Sequence, residues 1–235
     1  MGRNNTPRKS TDAATAKGGR LRIQAGRWRG RVIHTLPDWR VRPMLDRVRE
    51  ALFNALHARA WLDGAYVLDV FAGTGALGLE ALSRGAAHAV FFERDREVYD
   101  RLGESVQQLG VEASRVDLIH GDALRDGPRR LAPFLGASAL AEPTVPVVVF
   151  LDPPYAEVRP PRAEAFWHEL AALLAHVVPH EVAPRPPVLL VVGHEHTAKL
   201  PATLAGWPQR DARRYGRVCL SFYGDWPTGA DALHE

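Results

Sequence analysis

Cysteine is nearly absent. Cys219 is the single one in 235 residues, so no intramolecular disulfide framework is available, and no Cys/His spacing resembles a structural zinc site. Lysine is almost as scarce, with Lys9, Lys17 and Lys199 set against 27 arginines. No apolar run approaches the roughly 20 residues that a bilayer-crossing helix needs. No charged-then-apolar signal segment opens the chain, although its basic, acid-poor start faintly resembles a transit peptide. These absences lead us to expect a cytoplasmic protein without disulfides, metal or membrane span. No internal repeat is visible. Acidic residues are missing from one region in particular: residues 1–49 hold 13 Lys or Arg against Asp12, Asp38 and Asp46, a net +10, which against +3 for the whole chain leaves residues 50–235 at −7. A cationic arm on a neutral-to-acidic body fits a polyanionic partner, nucleic acid before others. The alternative is a merely solvated basic tail.

What is present begins with a core. A chain of 235 residues with 46% hydrophobic content can bury one, and suggests one domain plus an appendage. The organising stretch is Tyr66 to Glu80, YVLDVFAGTGALGLE. Its apolar run fits a strand buried on both faces, and Gly73, Gly75 and Gly78 follow as a tight turn leading into a helix. Strand, glycine turn and helix open a nucleotide-binding α/β sheet, but the GxGxxG match alone is weak. Asp69 discriminates between ligands. A carboxylate at the end of that strand is poorly placed for a pyrophosphate and well placed for a cation, such as the sulfonium and ammonium of S-adenosylmethionine. A capping Asp at the end of a buried strand is the competing reading.

In chain order, residues 1–19 read as a disordered basic tail. Residues 20–60 read as a basic hairpin followed by a helix. In the hairpin, Trp28 among Arg20, Arg22, Arg27, Arg29 and Arg31 serves either to stack a base between phosphate-binding arginines or to pack the hairpin onto the body. In the helix, Leu45, Val48, Leu52, Ala55 and Leu56 form an apolar stripe, with Arg42, Arg47 and Arg49 expected off it, as substrate contacts or as paired surface charge.

Residues 61–228 form the main domain, before a tail at 229–235. A second strand delivers Glu93, twenty residues past Gly73, where an acid can accept ribose hydroxyls. A helix over 96–109 and a strand over 116–120 lead to Gly121-Asp122-Ala123, where Asp122 is in reach of an adenine amine and can also cap a helix. Residues 127–146 read as loop. The strand over 147–151 then ends in Asp152-Pro153-Pro154-Tyr155, whose prolines fix an extended turn beside an acid and an aromatic ring. His194-Glu195-His196 lacks a third metal ligand. A hairpin turning at Tyr215-Gly216, with Val218, Leu220 and Phe222 inward, completes an open, mostly parallel sheet whose last strand is reversed.

These residues resemble the RsmD-type methyltransferases, which modify the exocyclic N2 of a guanine in bacterial 16S ribosomal RNA. The likeness runs through Arg20 to Gly30, RPMLDRVREALFNAL, LDVFAGTGALGLEALSRGA and LDPPY. The long basic start before Arg20 and the proline-rich stretch from Glu142 to Pro146 depart from it. The resemblance implies a Rossmann-like class I fold with seven strands and a small basic N-terminal extension. It implies S-adenosylmethionine lined by Asp69, Phe71, Gly73, Thr74 and Gly75, with its ribose on Glu93 and its adenine near Asp122 and Ala123. Asp152, Pro153, Pro154 and Tyr155 would then be the catalytic loop, and Arg29, Arg42, Arg47 and Arg49 would contact RNA. The expected partner is 16S ribosomal RNA or a small-subunit assembly particle, engaged by a monomer. Three rival readings stand. An amino-methyltransferase of DNA adenine or cytosine would use the same LDPPY loop. A dinucleotide oxidoreductase leaves Asp69 unexplained, and a non-enzymatic RNA-binding module leaves the pocket unexplained.

Overall fold

The computed structural model describes residues 21–36, 44–134, 144–178 and 185–227; both expected tails and Arg42 lie outside them. A two-residue antiparallel pair, β1 (Leu21–Arg22) and β2 (Val32–Ile33), comes first, followed by helix α1 (Asp46–His57). Strands β3 (Tyr66–Asp69), β4 (His88–Glu93), β5 (Val116–His120) and β6 (Val147–Leu151) then alternate with α2 (Ala76–Ser83), α3 (Arg96–Leu109) and α4 (Ala123–Phe134). After α5 (Ala163–Val177) come β7 (Val188–Glu195), β8 (Thr203–Leu204), β9 (Trp207–Tyr215) and β10 (Val218–Gly224).

The sheet runs β5-β4-β3-β6-β7-β10-β9-β8. Its first five strands are parallel, and β10, the last in the chain, runs against both β7 and β9, between which it lies. The sheet therefore has eight strands where seven were expected. The extra one is β8, a two-residue piece that pairs with β9 through Leu204 and Trp207, too short to show as a periodic segment.

Alternation along the strands decides which face each side chain buries. Val67, Phe91, Val148, Phe150, Leu189 and Val191 join one core with α1, α2, α3 and the hairpin. Leu68, Phe92, Val147, Val149, Leu190 and Val192 join the other with α4 and α5. The core is continuous across residue 60, because Val48, Leu52, Phe53 and Leu56 of α1 share it with Phe91 and Phe150.

Two expectations are corrected by the packing. Residues 127–134 are helix rather than loop: Asp122 caps α4 by accepting from Leu124 N–H at 3.0 Å, Gly127 seats against Leu173 of α5, and Leu131 joins the same core. Arg49 is fully buried rather than off the apolar stripe, and Leu45 is 51% exposed rather than on it. With Phe53 included, the buried stripe reads Val48, Arg49, Leu52, Phe53, Ala55, Leu56. Arg49 lies three and four residues before Leu52 and Phe53 and so turns inward with them. Its Nη2 donates to Arg22 O at 2.7 Å and Asp46 Oδ1 at 2.9 Å, so it ties α1 to the hairpin and does not reach a substrate.

Trp28 is buried, and its backbone N–H donates to Ser83 Oγ at 3.0 Å. It packs the hairpin onto the body, so the base-stacking reading falls. The α2 side of this joint is equally specific. The fully buried Glu80 carboxylate accepts from the Gln24 N–H at 2.7 Å and the Ala25 N–H at 3.0 Å, and from Arg84 Nε at 2.7 Å. Gly26, at φ +80°, passes so close that any Cβ there would overlap Ser83 O.

Candidate active site

All the site-bearing turns lie at the carboxyl ends of β3, β4, β5 and β6, where an open α/β sheet presents its crevice. They enclose a cleft of ≈ 940 Å³. Phe71, Gly73, Glu93, Asp122, Ala123 and the whole of Asp152 to Tyr155 line its wall. Asp69, Thr74 and Gly75 are buried and lie behind the wall. Gly75, at φ +76°, opens α2 in a left-handed conformation, pressed against Leu102. Asp69 is turned toward the same helix, where its Oδ2 accepts from the Gly78 N–H at 3.0 Å. Its Oδ1 is buried with no hydrogen-bond partner among the described residues.

Glu93 occupies the next strand end. It accepts from the Gly73 N–H at 2.8 Å and the Asp95 N–H at 2.7 Å, so it braces the glycine turn while remaining on the cleft wall. At the end of β6, Asp152 is half-buried and makes no ion pair among the described residues. Burial pushes Asp69 up to about 7, with Asp152 and Glu93 adding repulsion, and pushes Asp152 up to about 6. Burial raises Glu93 as well, against three backbone hydrogen bonds that lower it. Three carboxyl groups that burial raises, with Asp69 further raised by the other two and none paired to a cation among the described residues, make a site that a cationic ligand relieves.

The Asp152 to Tyr155 turn is partly self-satisfied. Pro154 O accepts from the Glu157 N–H at 2.9 Å, whereas Pro153 O accepts from nothing among the described residues. A residue with no reactive group also shapes this corner. Gly193 of β7 lies so near that a Cβ there would stand 2.5 Å from Asp152 Oδ1, so its missing side chain is the space the carboxylate occupies. An isolated glycine in an otherwise apolar strand is the sequence signal that could have revealed it.

The arginines sort by partner. On one side of the cleft, Arg94 faces Asp122 and Glu157, both at 3.9 Å, Arg162 pairs with Glu157 at 3.1 Å, and Arg125 pairs with Asp126 at 3.5 Å. Arg47 and Arg29 are exposed, with no ion pair among the described residues. Arg29 belongs to the hairpin tip, which packs on Ser83 at the far end of α2 from the glycine turn. His194, buried, bonds Glu195 O at 2.8 Å and Ser221 Oγ at 3.0 Å through its two ring nitrogens.

A family model described as Conserved hypothetical protein 95 matches residues 21–224, which takes in every element above. The chain belongs to the RsmD family. The Escherichia coli K12 relative, "Ribosomal RNA small subunit methyltransferase D", is 42% identical over 138 residues, which is 58% of this chain and 61% of that protein. The Haemophilus influenzae protein of the same name is 38% identical over 139 residues, 58% of this chain and 65% of that one. Among solved structures, the hypothetical protein TTHA0928 of Thermus thermophilus is 27% identical with a TM-score of 0.62, covering 86% of this chain and 98% of that one. The mostly parallel sheet with its reversed strand β10 is a class I methyltransferase fold, shared with a 31% identical Escherichia coli protein solved as a methyltransferase structure, at a TM-score of 0.60 over 88% of this chain and 98% of that one.

Proposed function

We propose that this RsmD-family chain transfers a methyl group from S-adenosylmethionine to the exocyclic N2 of a guanine in small-subunit ribosomal RNA, free or in an assembling particle. The observation that carries the reading is the meeting of Asp69, Glu93 and Asp152 around one cleft without a cationic partner among the described residues. The names of the relatives supply the substrate class. The residues fit the cofactor. Glu93, Asp122 and Ala123 line one end of the cleft for the ribose and adenine, and the orphaned Asp69 Oδ1 supplies field for a positive charge. S-adenosylmethionine, when bound, supplies the electrophilic methyl group.

The chain's own part is to make a poor nucleophile react. An aryl amine has its lone pair delocalised into the ring, so the nitrogen must be held and helped toward tetrahedral geometry. Asp152 and the Pro153 carbonyl accept its two N–H groups. Tyr155 stacks on the base and fixes its plane, so positioning supplies much of the rate. Positive charge developing on the nitrogen meets the Asp152 carboxylate, which takes the departing proton. The test is radiolabelled methyl transfer to small-subunit RNA, duplex DNA and protein in parallel, followed by mass-spectrometric mapping of the product. Label on a guanine N2 of the RNA is the expected result. Label confined to DNA amines, or no label, overturns the reading.

A further inference from the structure

Leu45 is the single large hydrophobic side chain exposed among the described residues, at 51%. It is also the N-cap residue of α1, where it makes no side-chain capping bond. Stability alone favours Ser, Thr, Asp or Asn at an N-cap, because leucine leaves an amide of the first turn unsatisfied. An exposed leucine in a position that suits a hydroxyl asks for a function, and its location offers one. Leu45 lines the mouth of the same cleft as Asp152 and Tyr155, with the buried Met44 beside it.

The charge around that mouth is uneven. Arg94, Arg125 and Arg162, on the side of Asp122 and Glu157, are all engaged with acids. On the side of Leu45, Arg217 in the β9–β10 turn lines the cleft and is exposed. Arg47 reaches toward the same turn, with its Nη2 3.3 Å from where a Cβ on Gly216 would stand. Neither has an ion pair among the described residues. With Asp46 held by Arg49 and Glu195 by Arg159, Arg47 and Arg217 are the cations that the rim formed by α1 and the β9–β10 turn offers to a polyanion.

Resting on the function proposed above, we infer that this rim holds the target nucleotide in its extruded state. Leu45 enters the space that the extruded base vacates in the RNA stack, and Arg47 and Arg217 clasp the flanking phosphates. A paired or stacked guanine cannot present its N2 to Asp152 from within a helix, so the nucleotide must leave the stack at a cost in stacking and pairing. An apolar wedge filling the gap offsets that cost, and phosphate contacts hold the strand in place.

The test uses Leu45→Ser, which removes the wedge and supplies a better cap. The substrates are a folded small-subunit RNA hairpin that keeps the mapped guanine stacked in its native place and an unstructured oligonucleotide with the same guanine. On the hairpin, Leu45→Ser should lower kcat/KM by at least about tenfold, while on the oligonucleotide it should stay within about twofold. Its melting temperature should equal or exceed that of the parent. With 2-aminopurine replacing the guanine, the parent should raise the fluorescence of the hairpin without cofactor, and Leu45→Ser should not. Arg217→Gln should flatten the salt dependence of binding to both RNAs, by about 0.7–0.9 log unit per decade of salt. Equal loss on both RNAs, or no loss on either, overturns the wedge. An Arg217→Gln effect confined to cofactor affinity overturns the clasp. Failure of the function itself is read separately, as a parent protein that labels no RNA guanine. A parent that neither labels nor brightens the hairpin overturns both.

Discussion

A carboxylate accepts protons only while ionised, and burial holds Asp152 at about 6. Turnover should therefore fall as pH drops through about 6, and a pH–rate profile at saturating substrates checks this. Asp152→Ala should lower kcat roughly a hundredfold or more, well beyond any loss of cofactor affinity, because the missing acceptor acts at the transition state. Full activity in that variant would sink the mechanism. Asp69 tests the same physics with the opposite emphasis. Its carboxyl rises from the usual 3.8 to about 7 in the fold, so the folded chain binds an extra proton between those values. The stability this group contributes is complete below about 4 and is lost as pH rises through about 7. Asp69→Asn keeps an oxygen for the Gly78 N–H and removes the buried charge, so it should raise the melting temperature at pH 8 by a few degrees. It should also weaken S-adenosylmethionine binding by about 1 to 3 kcal/mol in calorimetry. A lower melting temperature with unchanged affinity would show that Asp69 serves the fold and not the ligand.

Among the elements, the hairpin and α2 behave as one part because Glu80 satisfies two hairpin amides and Arg84 at once. Glu80→Ala strands those buried donors and should cost about 2–4 kcal/mol in chemical denaturation. The same variant at permissive temperature should retain cofactor affinity, since Glu80 is not on the cleft wall. A variant as stable as the parent would mean that the hairpin is held by Trp28 and Ser83 alone. The motif that announced the cofactor turn thus also carries, in Glu80 and Ser83, the anchor of a segment more than fifty positions earlier. No local pattern in the sequence distinguishes these two uses. Arg49 makes the same point: its spacing from Leu52 and Phe53 placed it on the buried stripe, but its charge suggested solvent. The Arg22 carbonyl and the exposed Asp46 carboxylate at the rim of the core, both meeting its Nη2, are the partners that go with its burial.

At the scale of the whole molecule, the +10 of residues 1–49 against −7 for the rest sets the expectation of a polyanion held by the amino-terminal region. The exposed arginines in that region do not share one surface: Arg47 is beside the β9–β10 turn, and Arg29 is at the tip packed on the far end of α2. An RNA that touches both must run past α2. Arg29→Gln should then lower the slope of log affinity against log salt by about 0.7–0.9, the share of a single neutralised phosphate. Filter binding across a salt series measures it, and an unchanged slope confines the RNA to the cleft rim.

Strand and helix existence, the glycine turn, and the acids at the ends of β3 to β6 follow from the sequence, because periods of 2 and 3.6 and the sterics of glycine and proline act over a few residues. Asp122 in its capping place and the rigid Asp152 to Tyr155 turn belong to the same class. The tertiary structure alone decided that Arg49 and Trp28 are buried, that Gly127 to Phe134 continues a helix against α5, and that β8 adds an eighth strand. It alone left Leu45 exposed at the mouth and aligned Gly193 with Asp152. Each of these depends on a partner brought from far along the chain, and burial, unlike periodicity, is a property of the partner as much as of the residue.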